Sequence, residues 1–334
     1  MIDVGLERSN LKLQAEFFSK YRLLATDGRS THDILKIIKD HDKGESVAED
    51  LYGICKEDSS LSDIISSNGS FHPAVPLLLN AGLEHGTLDV TLSKVEEYLD
   101  RSADMPMSRQ ELAIGGQFQL FYALSILSAW KQPIPNAILA FSKFSESLPT
   151  EVLKDVYDKI TGEEPLSFSK AVYTHQDYFA DFVGALLELG EITDTMPQQL
   201  SFSAELLGCY HDLTERERSL ATLYHTFGIL VNYASNGASP LKGKVHPLVY
   251  AFETINEHSD GSSKPEDRED FSTIFASVVS SDNSYKAFAD ALMERSLFDA
   301  AALENPSQDG SVFACRALEL AQHYLRECKR QHNI

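Results

Sequence analysis

Residues 71–99 read FHPAVPLLLNAGLEHGTLDVTLSKVEEYL. An apolar run from Ala74 is broken at Gly82 and again at Gly86, and a charged, periodic stretch follows at once. A glycine directly after such a run is expected to close the helix, because it reaches the left-handed conformation without a steric penalty. Thr87 then suits the cap of a second helix, with Leu88 anchoring it. Leu92, Val95, Tyr98 and Leu99, with Val90 before them, fall near helical spacing and predict its buried face. Lys94, Glu96 and Glu97 lie opposite.

The same writing returns further along the chain. FADFVGALLELGEITDTMPQQL (179–200) sets against FHPAVPLLLNAGLEHGTLDVTL (71–92) without a gap. Phe179 meets Phe71, Val183 meets Val75, Gly190 meets Gly82, Thr195 meets Thr87 and Leu200 meets Leu92. Upstream, SLSDII (60–65) resembles PLSFSKAV (165–172), with three extra residues before the second Phe. Earlier still, the stretch 17–38, with FF and STHDILKII, resembles 121–141, with FY and PNAILAF. A fainter third copy pairs KAFADALMERSLF (286–298) with LSDIISSNGSF (61–71). It carries a polar insertion at 256–271 that reads as a loop.

Ser30-Thr31-His32-Asp33 precedes ILKIIKDH as a cap cluster, Thr150 is placed to cap VLKDVYDKI, and the apolar run LFYALSILSAW (120–130) reads as a buried helix with Trp130 in the core. No stretch alternates apolar and polar residues persistently, so no strand is expected. The predicted fold is all-α: tandem small helical bundles of five to six helices each. They span 1–104, 105–211 and a divergent third at 212–334, with linkers near 102–117 and 208–217. The period exceeds the roughly 34–47 residues of helix-pair solenoids, so each copy has room for its own core.

The pattern of an apolar helix, Gly-Glu-x-Ser/Thr-Gly-x-Leu and an amphipathic helix resembles the type II secretion system protein F family (GspF/PilC). It stands as Gly82-Leu83-Glu84-His85-Gly86-Thr87-Leu88 in the first copy and Gly190-Glu191-Ile192-Thr193-Asp194-Thr195-Met196 in the second. The first keeps both glycines; the second keeps Gly-Glu and replaces the second Gly by Asp. The resemblance implies the six-helix cytoplasmic bundles of an inner-membrane platform protein, whose role is contact with secretion or pilus machinery. Glu84 and Glu191 are the candidate partner contacts, and Phe71, Gly82, Gly86, Phe179 and Gly190 the structural motif residues. Members of that family place membrane helices after each cytoplasmic domain, whereas 101–117 and 208–217 here are short and polar.

Composition narrows the function classes. A net charge of −21 disfavours nucleic acid and anionic lipid, both of which need clustered Lys and Arg. Each of the three stretches is acidic, so protein surfaces of basic or mixed charge are the expected partners, and association with a second copy is the competing arrangement. Four cysteines at 55, 209, 315 and 328 form no C-x-x-C and read as free thiols of a reducing compartment. The apolar runs fall short of the roughly 20 residues of a membrane span, so a cytoplasmic, soluble protein is expected.

No phosphate-binding loop, GxGxxG, GxSxG or HExxH occurs. His72 and His246 each precede Pro, where a turn-capping or surface role is expected rather than metal binding. No catalytic residue, cofactor or metal is therefore assigned. The expected function is a non-catalytic scaffold or adaptor. The alternative is an all-α small-molecule-binding protein or enzyme.

Overall fold

The computed structural model describes residues 4–41, 47–56, 59–105, 112–144 and 149–211, with single residues at 213, 218, 222, 225, 226 and 229. Among these the chain is all-α, with no strand. It divides into two compact units, Met1–Ser167 and Phe168–Ile334. Of the expected third bundle only those single residues are described, and the 256–271 insertion, His246, Cys315 and Cys328 lie outside the described residues.

The first unit holds α1 (Val4–Ala25), α2 (Thr31–His41), α3 (Val47–Ile54), α4 (Leu61–Ser67), α5 (Ala74–His85), α6 (Leu88–Asp104), α7 (Leu112–Ala129), α8 (Ile134–Phe144) and α9 (Thr150–Thr161). Helix α1 runs along α6 as the most extensive pairing, and α5 packs on α6. Their direction is antiparallel: Lys12 bonds Asp104 at 2.7 Å near one end, and Arg22 reaches Glu96 at 3.2 Å and Asp89 at 3.7 Å near the other. Phe17 and Phe18 of α1 meet Phe71 edge-on at 6.3 and 6.0 Å. Leu92, Val95, Tyr98 and Leu99 are wholly buried, as their spacing predicts, whereas Val90 is exposed.

Local chemistry sets the helix starts. Ser30 Oγ accepts the Asp33 N–H at 3.1 Å and donates to its carboxylate at 2.7 Å. Ser60 and Asp63 repeat the arrangement at α4. Such caps satisfy backbone donors that a helix start leaves open. Thr150 departs from expectation: it is the first residue of α9, and Pro149 holds the cap position without a side-chain bond. Residues 102–105 and 112–117 differ too. They belong to α6, its cap and α7 rather than to a linker, and Ser102 and Ala103 are buried.

Every residue of α7 from Gly115 to Leu127 is buried, as suits a helix apolar on all sides. It packs on α5, α6 and α8. Trp130 is not in the core; it sits in the turn after α7, half-buried, because the helix ends at Ala129. Lys131 follows with φ 59°.

The second unit, as described, holds α10 (Phe168–Tyr173), α11 (Asp181–Thr193) and α12 (Met196–Gly208), packed in sequence on one another. The helices that similarity places in the second copy, α7–α9, lie in the first compact unit, so the partition by similarity and the partition by compactness run differently.

Candidate functional site

Both glycine-bearing corners lie inside the described residues, and both correct one expectation. Gly82 and Gly190 do not end their helices. α5 continues to His85 and α11 to Thr193. Neither glycine has positive φ; among the described glycines only Gly28 does. The helix-ending position comes four residues later, at Gly86 in an extended conformation and at Asp194 in the left-handed one, φ 56°. These two are equivalent in the gapless match, and Asp is among the residues that tolerate this region.

The physical reason for Gly82 is a helix crossing. A Cβ there would stand 2.8 Å from Thr91 Cβ, with Thr91 Cγ2 and Oγ1 closer still. At Gly190 it would meet Gln199 Cγ and the Met196 Cα, each at 3.1 Å. Thr91 and Gln199 are themselves equivalent positions, and both are fully buried. The glycine thus lets the first turns of α6 and α12 lie against α5 and α11. Thr87 caps α6 by accepting the Val90 N–H at 3.4 Å. Thr195, its counterpart, instead bonds Thr193 at 2.6 Å and Gln199 at 2.9 Å.

The two glutamates are differently placed. Glu84 is exposed and accepts from Gln132 Nε2 at 3.1 Å. Glu191 is exposed as a residue, yet its carboxylate takes the Ser169 N–H at 3.0 Å and the Ser169 hydroxyl at 2.5 Å. It therefore caps α10 within its own unit. The residue equivalent to Glu191 is Leu83, and Glu84 matches Ile192. Leu83, Val90 and Ile192 are exposed aliphatic side chains at or beside the corners, at 41%, 48% and 37%. No family model, no curated protein and no solved structure matches the chain.

A second constellation, which sequence reasoning did not single out, joins α6 to α7. Tyr122 donates to Glu97 Oε1 at 2.6 Å, and Lys94 donates to Oε2 at 2.7 Å. Arg101 lies over the Tyr122 ring at 4.6 Å and near Phe118 at 5.7 Å. Tyr98 stacks on Tyr122 at 5.8 Å. Burial pushes the Glu97 carboxyl up, but the Lys94 and Tyr122 hydrogen bonds outweigh it and hold the group below its ordinary value. Burial, reinforced by that carboxylate, pushes the Tyr122 phenol well up.

His72 borders this cluster. Its Nδ1 accepts the Ala74 N–H at 3.3 Å, which fulfils the expected turn-capping role. The Tyr98 hydroxyl lies 3.4 Å from the same atom. Enclosure of the ring lowers its pKa to about 4, so the imidazole is neutral. In the second unit, His225 stacks on Phe202 at 3.6 Å and bonds Gln199 Oε1 at 2.8 Å. Burial lowers it to about 3. The His72 lone pair is occupied within the fold, and Glu97 is held by two partners, so both act first as structural polar groups. The Glu97–Tyr122 and His72–Tyr98 ties were hidden from the sequence because those partners lie 25 and 26 residues apart.

Proposed function

We propose that the chain is a non-catalytic interaction protein, built from a duplicated six-helix unit and similar to the cytoplasmic domains of type II secretion and type IV pilus platform proteins. The sequence match between the two copies supports this reading, as does burial at paired positions. Val75, Leu78 and Leu79 are wholly buried, as are Val183, Leu186 and Leu187. Leu61, Ser62, Ile64 and Ile65 of α4 match Phe168, Ser169, Ala171 and Val172 of α10. By that burial register the second copy is one residue longer before its Phe, not three. Ile34, Leu35 and Ile38 match Ala137, Ile138 and Phe141.

The observation that carries the interaction role is the contrast at the two corners. Their cores agree position by position, while their exposed tips differ: Leu83-Glu84 in one and Glu191-Ile192 in the other. Exposed aliphatic side chains beside a carboxylate suit a protein surface of mixed apolar and basic character. The test is affinity capture from native lysate with the full chain, beside a Leu83→Asp/Ile192→Asp variant of unchanged helicity. Partners that the wild type holds and the variant loses support the reading. Equal capture by both, or a small molecule retained in native mass spectrometry, overturns it. Sedimentation at several concentrations separates a second copy from a foreign partner.

A further inference from the structure

His72 stands where five helices of the first unit are tied together. Its Nδ1 takes the Ala74 N–H at the start of α5. Its ring packs against Tyr98 of α6 at 5.4 Å and Phe141 of α8 at 6.1 Å, beside the Gln119 amide of α7. Its backbone N–H donates to Gln14 Oε1 of α1 at 3.2 Å, and Gln14 Nε2 donates to the Ser70 carbonyl at 3.3 Å. Among the described residues, the groups facing the ring are thus a backbone N–H, a phenol, an amide and a phenyl ring, and none of them carries a charge. Of the charged groups of α6, Glu97 and Arg101 are turned to Tyr122, and Lys94 donates to Glu97.

A proton on Nδ1 faces the Ala74 N–H, donor against donor. It also places a positive charge among apolar rings without a carboxylate to receive it. We propose that His72 is an acid-released clasp: while its ring is neutral it holds the α7–α8 hairpin on α5 and α6, and its protonation frees that hairpin before the α1–α6 bundle melts.

The protein carries a single tryptophan, Trp130, and it lies in the α7–α8 turn. Its fluorescence therefore reports on the hairpin, while far-UV circular dichroism reports on all helices. In the full chain, Trp130 emission is expected to change on acidification from pH 7 to 4 ahead of the helical signal. His72→Asn keeps a short side-chain acceptor for the Ala74 N–H and does not titrate, so its Trp130 midpoint should fall by about one pH unit or more. Glu97→Gln, which removes the other titrating tie on α7, should leave a separate early phase in place. Hydrogen exchange of the wild type gives a second readout that needs no variant: at pH 4.5, corrected for intrinsic rates, residues 117–127 lose protection while 92–99 keep it. Coincident fluorescence and helix transitions, an unchanged midpoint in His72→Asn, or equal loss of protection in both segments overturns the proposal.

Discussion

Adding one methyl group at Gly82 places carbon against Thr91, a β-branched side chain fixed in a buried position. Two effects oppose each other. Alanine favours the helix over glycine by about 1 kcal/mol, while overpacking a tight contact costs about 1–3 kcal/mol. Because Thr91 Cβ itself lies at 2.8 Å, the clash should win: Gly82→Ala is expected to lower stability in urea by about 1–2 kcal/mol. Thr91→Ala in the same chain removes Cγ2 and Oγ1 and should restore part of that loss. At Gly190 the approaches are 3.1–3.3 Å and φ is not positive. Gly190→Ala should therefore stay within about 1 kcal/mol of wild type. Because the clearance is smaller at Gly82, its loss should be the larger of the two, and equal losses at both sites contradict the crossing account. The sequence made the position of these glycines legible, but not their role. An apolar run followed by Gly reads as a helix end, whereas the real constraint comes from a residue nine positions later, brought close by the crossing.

Helix α10 has six residues, too few to hold itself by its own backbone bonds. Its first turn is held by the Glu191 carboxylate, which accepts both a backbone N–H and a hydroxyl from Ser169. Removing that charge should weaken the helix: Glu191→Gln is expected to lower stability by about 0.5–2 kcal/mol. Ser169→Ala removes only the hydroxyl bond and should cost less. The double variant should cost less than the sum of the two, since both act on one pair. Full additivity in urea denaturation shows that Glu191 and Ser169 are not coupled and that this contact does not hold the helix. At this scale the helices themselves were legible. Period and apolar stripes gave α2, α5, α6 and α9, because those signals are local, whereas α12 was legible only through its likeness to the first copy. Trp130 was misread because its residue type suggested the core, while the chain turns at that point. The Glu97–Tyr122 and His72–Tyr98 ties depend on how helices cross, which no local pattern encodes.

Across the whole molecule, each compact unit encloses a neutral histidine, His72 in the first and His225 in the second. Their folded values are about 4 and about 3, against roughly 6.5 in an unfolded chain. The unfolded state therefore binds more protons between these limits, and stability must rise with pH there. It is complete above about pH 6.5 and falls as the solution is acidified through the interval down to the folded values. The acidic excess of the chain works the other way, since neutralising carboxylates relieves self-repulsion. Between pH 7 and pH 5 that relief is small, because only roughly a tenth of ordinary carboxyls take up a proton by pH 5. The histidines should dominate, each lowering stability by roughly 1–2 kcal/mol over those two pH units. Urea denaturation at pH 7 and pH 5 measures the sum. His72→Asn should remove about half of the pH-dependent loss, and His225→Gln, whose amide can still donate to Gln199, should remove the other half. If stability is flat or rises from pH 7 to 5, the two histidines are not held neutral, and the packing of Tyr98 and Phe202 around them has to be reconsidered.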